Sequence, residues 1–310
     1  MTTFPEYIKS DTRVLATILD WVRWGSSQFS QAGLHFGHGT DNAWDEAMFL
    51  LMWAIDQPSE AFDQIASARL TPTESAEVYG LYTRRITEKI PAAYLTGVAW
   101  FAGFPFKITQ DVLVPRSPIA ELLLSGFQPW MEQMPSAILD LCTGSGCIGI
   151  SCAHQFPDSR VVLSDISESA LGVARQNVSF HQLEDRIDVV LSDGFDQLNG
   201  QTFDLIISNP PYVDAEDLAA MPAEFHAEPP IGLASGADGL DFARRILAQA
   251  KALLNPGGLL VVEVGNSWEA LEQSFPQIGF FWPELEHGGH GVFLLRRDQL
   301  PSDDHCYKIL

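Results

Sequence analysis

Apolar positions in the first ninety or so residues recur at the spacing of helices. From about Asp11 through Trp24, the residues Val14, Leu15, Ile18, Trp21 and Val22 make one stripe. After Thr40-Asp41, Trp44, Met48, Leu51 and Ile55 make a second. A third helix has a legible opening, with Thr71 as N-cap, Pro72 at the first helical position and Glu74 completing a capping box. It should stop before Pro91, because the residue preceding a proline is pushed out of the helical region. Between Ala99 and Val114 the pattern shifts to short aromatic and β-branched runs, which predicts a hairpin linking two domains.

From about Ala137 the period alternates. Short apolar runs at Ala137–Leu141, Arg160–Ser164, Ile187–Leu191, Phe203–Ser208 and Leu259–Val264 predict strands. Helical patterns separate most of them, Glu168–Phe180 and Leu240–Leu254 among them. Such alternation implies an α/β fold, with a mainly parallel sheet covered by helices on both faces. Phe280–Trp282 and Val292–Arg296 lie too close together for a helical crossover, so they are expected to pair as an antiparallel hairpin at one sheet edge. The expected organisation is a helical domain over 1–95, a linking β-hairpin over 96–118, an α/β domain over 119–298 and a tail over 299–310.

Composition narrows the partners more than the fold. Of the 310 residues, 46% are hydrophobic and 19% charged, as in ordinary soluble domains. No apolar run is long enough to cross a bilayer, and the opening Met-Thr-Thr-Phe-Pro-Glu lacks the basic and apolar regions of a secretory signal, so no membrane partner is expected. Eighteen Lys and Arg against 40 Asp and Glu give a formal charge of -22, which repels phosphates and attracts basic partners. Cys142, Cys147, Cys152 and Cys306 contain no Cys-x-x-Cys pair, and read as small buried thiols of a reducing cytoplasm. The pair His287 and His290 has no acidic or thiol companion, and its glycines fit a turn, so no metal is expected.

Two motifs carry candidate chemistry. The run Asp140-Leu141-Cys142-Thr143-Gly144-Ser145-Gly146 follows the first sheet strand and opens a helix. Glycines there let the backbone approach a ligand, and the helix N-terminus offers unpaired N–H groups. Asp165, roughly twenty residues on at the next strand end, stands where an acid can grip ribose hydroxyls. Gly144, Gly146 and Gly149 also satisfy the G-x-G-x-x-G string of dinucleotide dehydrogenases, so the turn alone does not choose the ligand.

The second motif, Asn209-Pro210-Pro211-Tyr212, ends the fourth strand. Asn209 precedes proline and is held extended. Pro210 and Pro211 lack N–H donors and leave a stiff segment rich in carbonyl acceptors, beside the aromatic face of Tyr212. A planar NH₂ on an sp² carbon fits: the Asn209 side-chain oxygen and the Pro210 carbonyl each accept one N–H, and Tyr212 packs on the flat face. Hydride transfer has no use for such acceptors. Base and amide both remain open as the planar group. Between Ile187 and Ala243 there is no Lys or Arg, whereas Asp214, Glu216, Asp217, Glu224 and Glu228 follow the motif. An acidic mouth suits a basic protein and disfavours nucleic acid as substrate. Asp238 is expected to cap a helix starting near Gly239.

With these residues in place, the sequence resembles the class I, S-adenosylmethionine-dependent glutamine N5-methyltransferases. Within them it is similar to the PrmB type, which modifies protein three of the large ribosomal subunit. The resemblance is carried by Val112–Pro118, the Asp140–Gly146 turn, Asn209–Tyr212, Asp238-Gly239-Leu240-Asp241 and the early run from Gly37 to Glu46. It covers about Trp21 to Arg297. It implies a seven-stranded Rossmann-like methyltransferase sheet with an antiparallel last strand, behind N-terminal helices that help recognise a basic ribosomal protein. It also implies that Asp140, Cys142, Thr143, Gly144, Ser145 and Gly146 cradle the methionine part of the cofactor. Asp165 then takes the ribose, Asp193-Gly194 flank adenine, and Asn209 to Tyr212 hold the target amide, with Asn209 also bordering the cofactor. Cys142 stands where related turns carry glycine, and Pro-Arg-Ser-Pro at 115–118 departs from the Pro-Arg-Pro of the sister release-factor enzymes. Rival readings are base methylation of RNA or DNA, methylation of a release factor, and a non-catalytic ribosome-assembly factor.

Overall fold

The computed structural model describes residues 12–286 and 289–301; Asp11, His287, Cys306 and most of the expected tail lie outside them. The chain divides into two units, Met1–Val98 with Pro222–Ala227, and Ala99–Met221 with Glu228–Leu310.

The first unit is helical. Its first helix begins later than the apolar stripe predicts: Thr12–Val14 is a 3₁₀ turn and the α-helix runs Ile18–Gln31. Thr17 sets that start, because its hydroxyl accepts from Asp20 N (3.1 Å) while the Asp20 carboxylate accepts from Thr17 N (2.9 Å). Asn42 caps the next helix, Ala43–Ala54, by accepting from Asp45 N (2.9 Å). The helix Pro72–Glu88 opens with the expected Thr71/Glu74 box and ends at Lys89, whose φ of 57° is left-handed. Trp21, Val22, Phe29, Leu50, Leu51 and Tyr82 form the core.

An ion cluster is buried in the same unit. Arg85, fully buried, donates to Glu46 Oε1 (2.6 Å), Glu224 Oε1 (3.2 Å) and the His35 carbonyl (2.8 Å). Glu224 arrives on the Pro222–Ala227 excursion and also accepts from His35 N (3.0 Å). Beside it Phe225 packs on the His38 ring, with centroids 4.5 Å apart.

A hairpin, shorter than the predicted one, follows at the start of the second unit: β1 (Val98–Phe101), of which only Val98 belongs to the first unit, and β2 (Phe104–Lys107). Ala102 and Gly103 between them are both left-handed (φ 48° and 85°), as a tight primed turn requires. The main sheet contains β3 (Ala137–Leu141), β4 (Arg160–Asp165), β5 (Ile187–Leu191), β6 (Phe203–Ser208), β7 (Leu254–Glu263) and β8 (Val292–Arg296). Their order is β5-β4-β3-β6-β7-β8, parallel except for β8, which runs antiparallel to β7. The sheet therefore has six strands among the described residues where seven were expected. Phe280–Trp282 contributes one antiparallel bridge, Phe281 to Leu294, in place of a strand. Phe280 and Trp282 instead pack on Phe293, with centroids 5.0 and 5.6 Å away, and aromatic packing takes over from ladder pairing there.

Alternate residues of each strand enter different layers. Ile138, Val161, Leu163, Leu205, Ile207 and Val261 face one core, and Leu139, Leu141, Val162, Ile206, Leu260 and Val262 the other. Burial on both faces explains why these strands read as continuous apolar runs. The switch point falls between β3 and β6, since the chain winds outward from β3 to β5 and then returns to β3's other side. In open α/β sheets, the crevice beyond the carboxyl ends at such a point is where ligands bind.

Candidate active site

Register brings the two motifs together at the switch point. Leu141 of β3 is level with Ser164 of β4 and Ser208 of β6, so the glycine-rich turn, Asp165 and Asn209 leave the sheet side by side. The Ser208 hydroxyl donates to the Leu141 carbonyl (2.7 Å) and fastens β6 to β3 at that rim.

The turn is held from below. Thr143 N donates to the Ser164 carbonyl (3.0 Å), and Gly144 N to Asp165 Oδ2 (2.9 Å), while Asp165 Oδ1 accepts from Ser167 N (2.9 Å). Cys142, at the position where related turns carry glycine, has a φ of 60°, the left-handed conformation that glycine adopts without strain. Gly144 and Gly146 are also left-handed (φ 53° and 82°), and a Cβ on Gly144 would meet nothing within 4 Å. Gly146 starts the helix Cys147–Gln155, whose N–H groups face the same rim. Gly149, one turn in, answers to packing: a Cβ there would lie 2.2 Å from Leu163 Cδ2.

Asp140 is fully buried under the turn. Its Oδ2 accepts from the Thr143 hydroxyl (2.5 Å) and Gly149 N (2.8 Å), while its Oδ1 has no partner among the described residues. Burial pushes this carboxyl up to about 7 against the pull of those two bonds. Burial also raises Asp165, and it raises the Cys142 thiol, with Asp165 adding to the effect. A buried acid with an unpaired oxygen beneath a left-handed glycine turn is chemically compatible with a cationic group such as the ammonium of an amino acid moiety.

Asn177 is a residue the sequence reading missed. Fully buried in the helix Glu168–Phe180, it donates to the carbonyls of Ser145 (2.8 Å) and Lys107 (2.9 Å) and accepts from Lys107 N (2.8 Å). One side chain thus joins the turn to β2. Asp193 and Gly194 follow β5, two strands from β3. The Arg245 guanidinium pairs with the Asp193 carboxylate and donates to the Asp193 carbonyl (2.7 Å) and Asp196 (3.0 Å).

Beyond β6, Asn209 is half-buried and Pro210 buried. Tyr212 is gripped at both ends: its hydroxyl donates to Glu263 Oε1 (2.8 Å), and its carbonyl accepts from the Ser267 hydroxyl (3.1 Å). Val213 then pairs with the 233–235 segment through Val213 N to the Leu233 carbonyl (2.8 Å) and Ser235 N to the Val213 carbonyl (3.0 Å). Arg116 forms a two-pronged pair with Glu228 (2.6 and 2.7 Å), and Glu228 also accepts from Val114 N (3.0 Å). Ser117, the departure in the Pro-Arg-Ser-Pro run, donates to Glu263 Oε2 (2.6 Å).

Two expectations change here. Of the five acids read as an acidic mouth, Glu224 and Glu228 are buried and neutralised by Arg85 and Arg116. Asp214 spends its carboxylate capping Ala215–Ala220, so Glu216 and Asp217 are the members left exposed with no such role. Asp238 does not cap at the N2 or N3 position of the helix Asp241–Leu253. It accepts from Leu240 N (3.1 Å) and pairs with Arg244, because the helix starts two residues later than Gly239.

The methyltransferase small domain family matches residues 119–228. The ribosomal protein uL3 glutamine methyltransferase of Francisella tularensis is 44% identical over 296 residues, covering 95% of this chain and 94% of that protein. Its namesake from Neisseria gonorrhoeae is 47% identical over 292 residues, covering 94% and 97%. Among solved structures, the hMettl16 catalytic domain in complex with MAT2A 3′UTR hairpin 1 shares the fold. Its TM-score is 0.52 at 15% identity, covering 79% of this chain and 90% of that one. Identity of this order along nearly the whole length, on a sheet that joins the glycine turn to the Asn-Pro-Pro-Tyr rim, means that the chain belongs to the ribosomal protein uL3 glutamine methyltransferase family.

Proposed function

We propose that the chain transfers a methyl group from S-adenosyl-L-methionine to the side-chain amide nitrogen (N5) of a glutamine in ribosomal protein uL3. The observation that carries this reading is the register of β3 and β6, which sets the Asp140–Gly146 turn beside Asn209–Tyr212. Asp140, Cys142, Thr143, Gly144, Ser145 and Gly146 hold the methionine portion, with the unpaired Asp140 oxygen suited to its ammonium. Asp165 takes the ribose hydroxyls, and Asp193-Gly194 border the adenine. When bound, the cofactor supplies an electrophilic methyl carbon.

The protein's own task is to make a sluggish nitrogen react. An amide nitrogen shares its lone pair with the carbonyl and attacks poorly. The Asn209 side-chain oxygen and the Pro210 carbonyl each accept one of its N–H bonds, which returns electron density to nitrogen and fixes its direction. The Tyr212 ring packs on the flat face of the amide. No strong base is required first, because the nitrogen becomes acidic as it gains the methyl and then releases one of its two N–H protons, past the oxygen that accepts it, to solvent. Catalysis is positioning and exclusion of water.

The formal charge of -22 steers a basic protein substrate toward the enzyme in the cytoplasm, and the N-terminal helical unit contributes to recognising it. No helix among the described residues is long and apolar enough to cross a membrane. The test incubates the chain with uL3 and labelled S-adenosyl-L-methionine, then digests separately with protease and nuclease. Label released by protease, a methylated glutamine by mass spectrometry and a large fall in kcat for Asn209→Ala are expected. Near-normal kcat in Asn209→Ala, or label released by nuclease, overturns the reading.

A further inference from the structure

Glu263 has no place in the roles set out above, yet it ends β7 at the same rim as the target-binding segment. It is 5% exposed, and each of its oxygens accepts one hydroxyl, Oε1 that of Tyr212 (2.8 Å) and Oε2 that of Ser117 (2.6 Å). The Ser117 oxygen in turn accepts from Ile119 N (3.2 Å), at the start of the helix Ile119–Leu124, so the serine is itself anchored. Around the tyrosine the backbone is cut to fit. A Cβ on Gly265 would stand 2.5 Å from Tyr212 Cε2, and one on Gly239 would stand 2.3 Å from the Tyr212 carbonyl oxygen. The stretch 263–267 meets hydroxyl, ring and carbonyl, and Gly239 closes on the carbonyl from a second segment.

Because the phenolic proton is already given to Glu263, the hydroxyl has no proton left to donate to a target amide. Burial, with Glu263 adding to it, holds the phenol far above its ordinary range, so it does not serve as a base either. What Tyr212 offers the substrate is its ring face, and the angle of that face is set at the hydroxyl end.

We infer that Glu263 is a positioning residue for methyl transfer: through the Tyr212 hydroxyl it fixes the ring against which the target amide lies, and Ser117 holds its carboxylate in place. This deepens the function proposed above and rests on that reading of Asn209–Tyr212. Both Glu263 oxygens are taken up by protein hydroxyls, so its removal should act on the protein-substrate side of the reaction and leave the cofactor side alone.

The experiment is a double-mutant cycle in the full-length chain, with Glu263→Gln, Tyr212→Phe and the pair, measuring kcat and both KM values on uL3. A ring displaced by a fraction of an ångström to an ångström costs about 10- to 100-fold in kcat. The KM for S-adenosyl-L-methionine should stay put, and the pair should be no worse than the poorer single variant. Ser117→Ala should show the same split with a smaller fall. A normal kcat in Glu263→Gln, losses that multiply in the pair, or a fall that follows the cofactor KM or the melting temperature overturns the inference. Should Glu263→Gln fail to fold, Ser117→Ala and Tyr212→Phe complete the same cycle. A crystal structure of E263Q with the Tyr212 ring unmoved refutes it whatever the substrate proves to be. A wild-type chain that leaves uL3 unmethylated refutes the parent reading instead.

Discussion

Replacing Arg85 by methionine isolates the energetics of the buried ion cluster. Methionine fills a comparable volume with a flexible apolar chain, so little of the effect comes from a cavity. What goes is the common partner of Glu46 and Glu224, both almost fully buried. Breaking a buried pair from one side costs about 3–5 kcal/mol, because an uncompensated charge stays inside. The loss depends on pH, and its sign follows from Glu46. Burial already holds that carboxyl above its ordinary range while Arg85 pulls it down, so it rises further once the guanidinium is gone. A folded-state pKa above the unfolded one stabilises at low pH, and that contribution disappears as pH rises through the folded value. The deficit of Arg85→Met is therefore smallest near about pH 5 and largest near about pH 8. Urea unfolding followed by tryptophan fluorescence reads it, with Trp21 and Trp24 buried in the same unit. Adding Glu46→Gln and Glu224→Gln removes the stranded charges and should recover most of the stability. A deficit below about 1 kcal/mol, or one identical at both pH values, refutes the account of a stranded buried charge.

Asp140→Asn should stabilise the free protein above about pH 7 while weakening cofactor binding. The wild-type acid loses its stabilising contribution as pH rises through its value of about 7, and the amide has nothing to ionise. Urea titrations on either side of neutrality and calorimetric binding check both halves, and equal pH slopes in the two proteins would sink the argument. Gly149→Ala forces a methyl against Leu163 and Asp140 and should cost about 1–3 kcal/mol along with cofactor affinity; an unchanged melting temperature contradicts this. Raising ionic strength from about 0.05 to about 0.5 M should lower kcat/KM for uL3 and leave kcat unchanged, since screening weakens steering more than chemistry. A flat salt response counts against steering.

Local rules made the central sheet legible. β3, β5 and β6 fall at their predicted residues because strands buried on both faces leave unbroken apolar runs between turn residues. The Thr71 box survived for a related reason, being complete within four residues. Where two local signals competed, the expectation slipped: the apolar stripe reached back past Thr17, but the capping box at Thr17 and Asp20 decided where the helix begins. The Asn-Pro-Pro-Tyr segment stands out in the sequence by its chemistry, whereas the residues that hold it do not. Glu263 lies 51 residues from Tyr212 and 146 from Ser117, and Glu228 lies 112 from Arg116. No periodicity links positions so far apart, and an acid in a loop looks solvated until its partner is seen. In the sequence Glu224 and Glu228 therefore look like part of an acidic mouth, whereas in the structure they are buried counterions.

The excursion of Pro222–Ala227 also limits how the molecule can be dissected. A fragment ending at Val98 retains Arg85 and Glu46 but leaves behind Glu224 and Phe225, so its guanidinium lacks one of its two carboxylates and the His38 ring its aromatic neighbour. The complementary fragment would carry those two side chains without the Arg85 and His38 that meet them. Severing the chain after Val98 therefore gives two damaged halves, and separate expression would understate what each contributes in the whole.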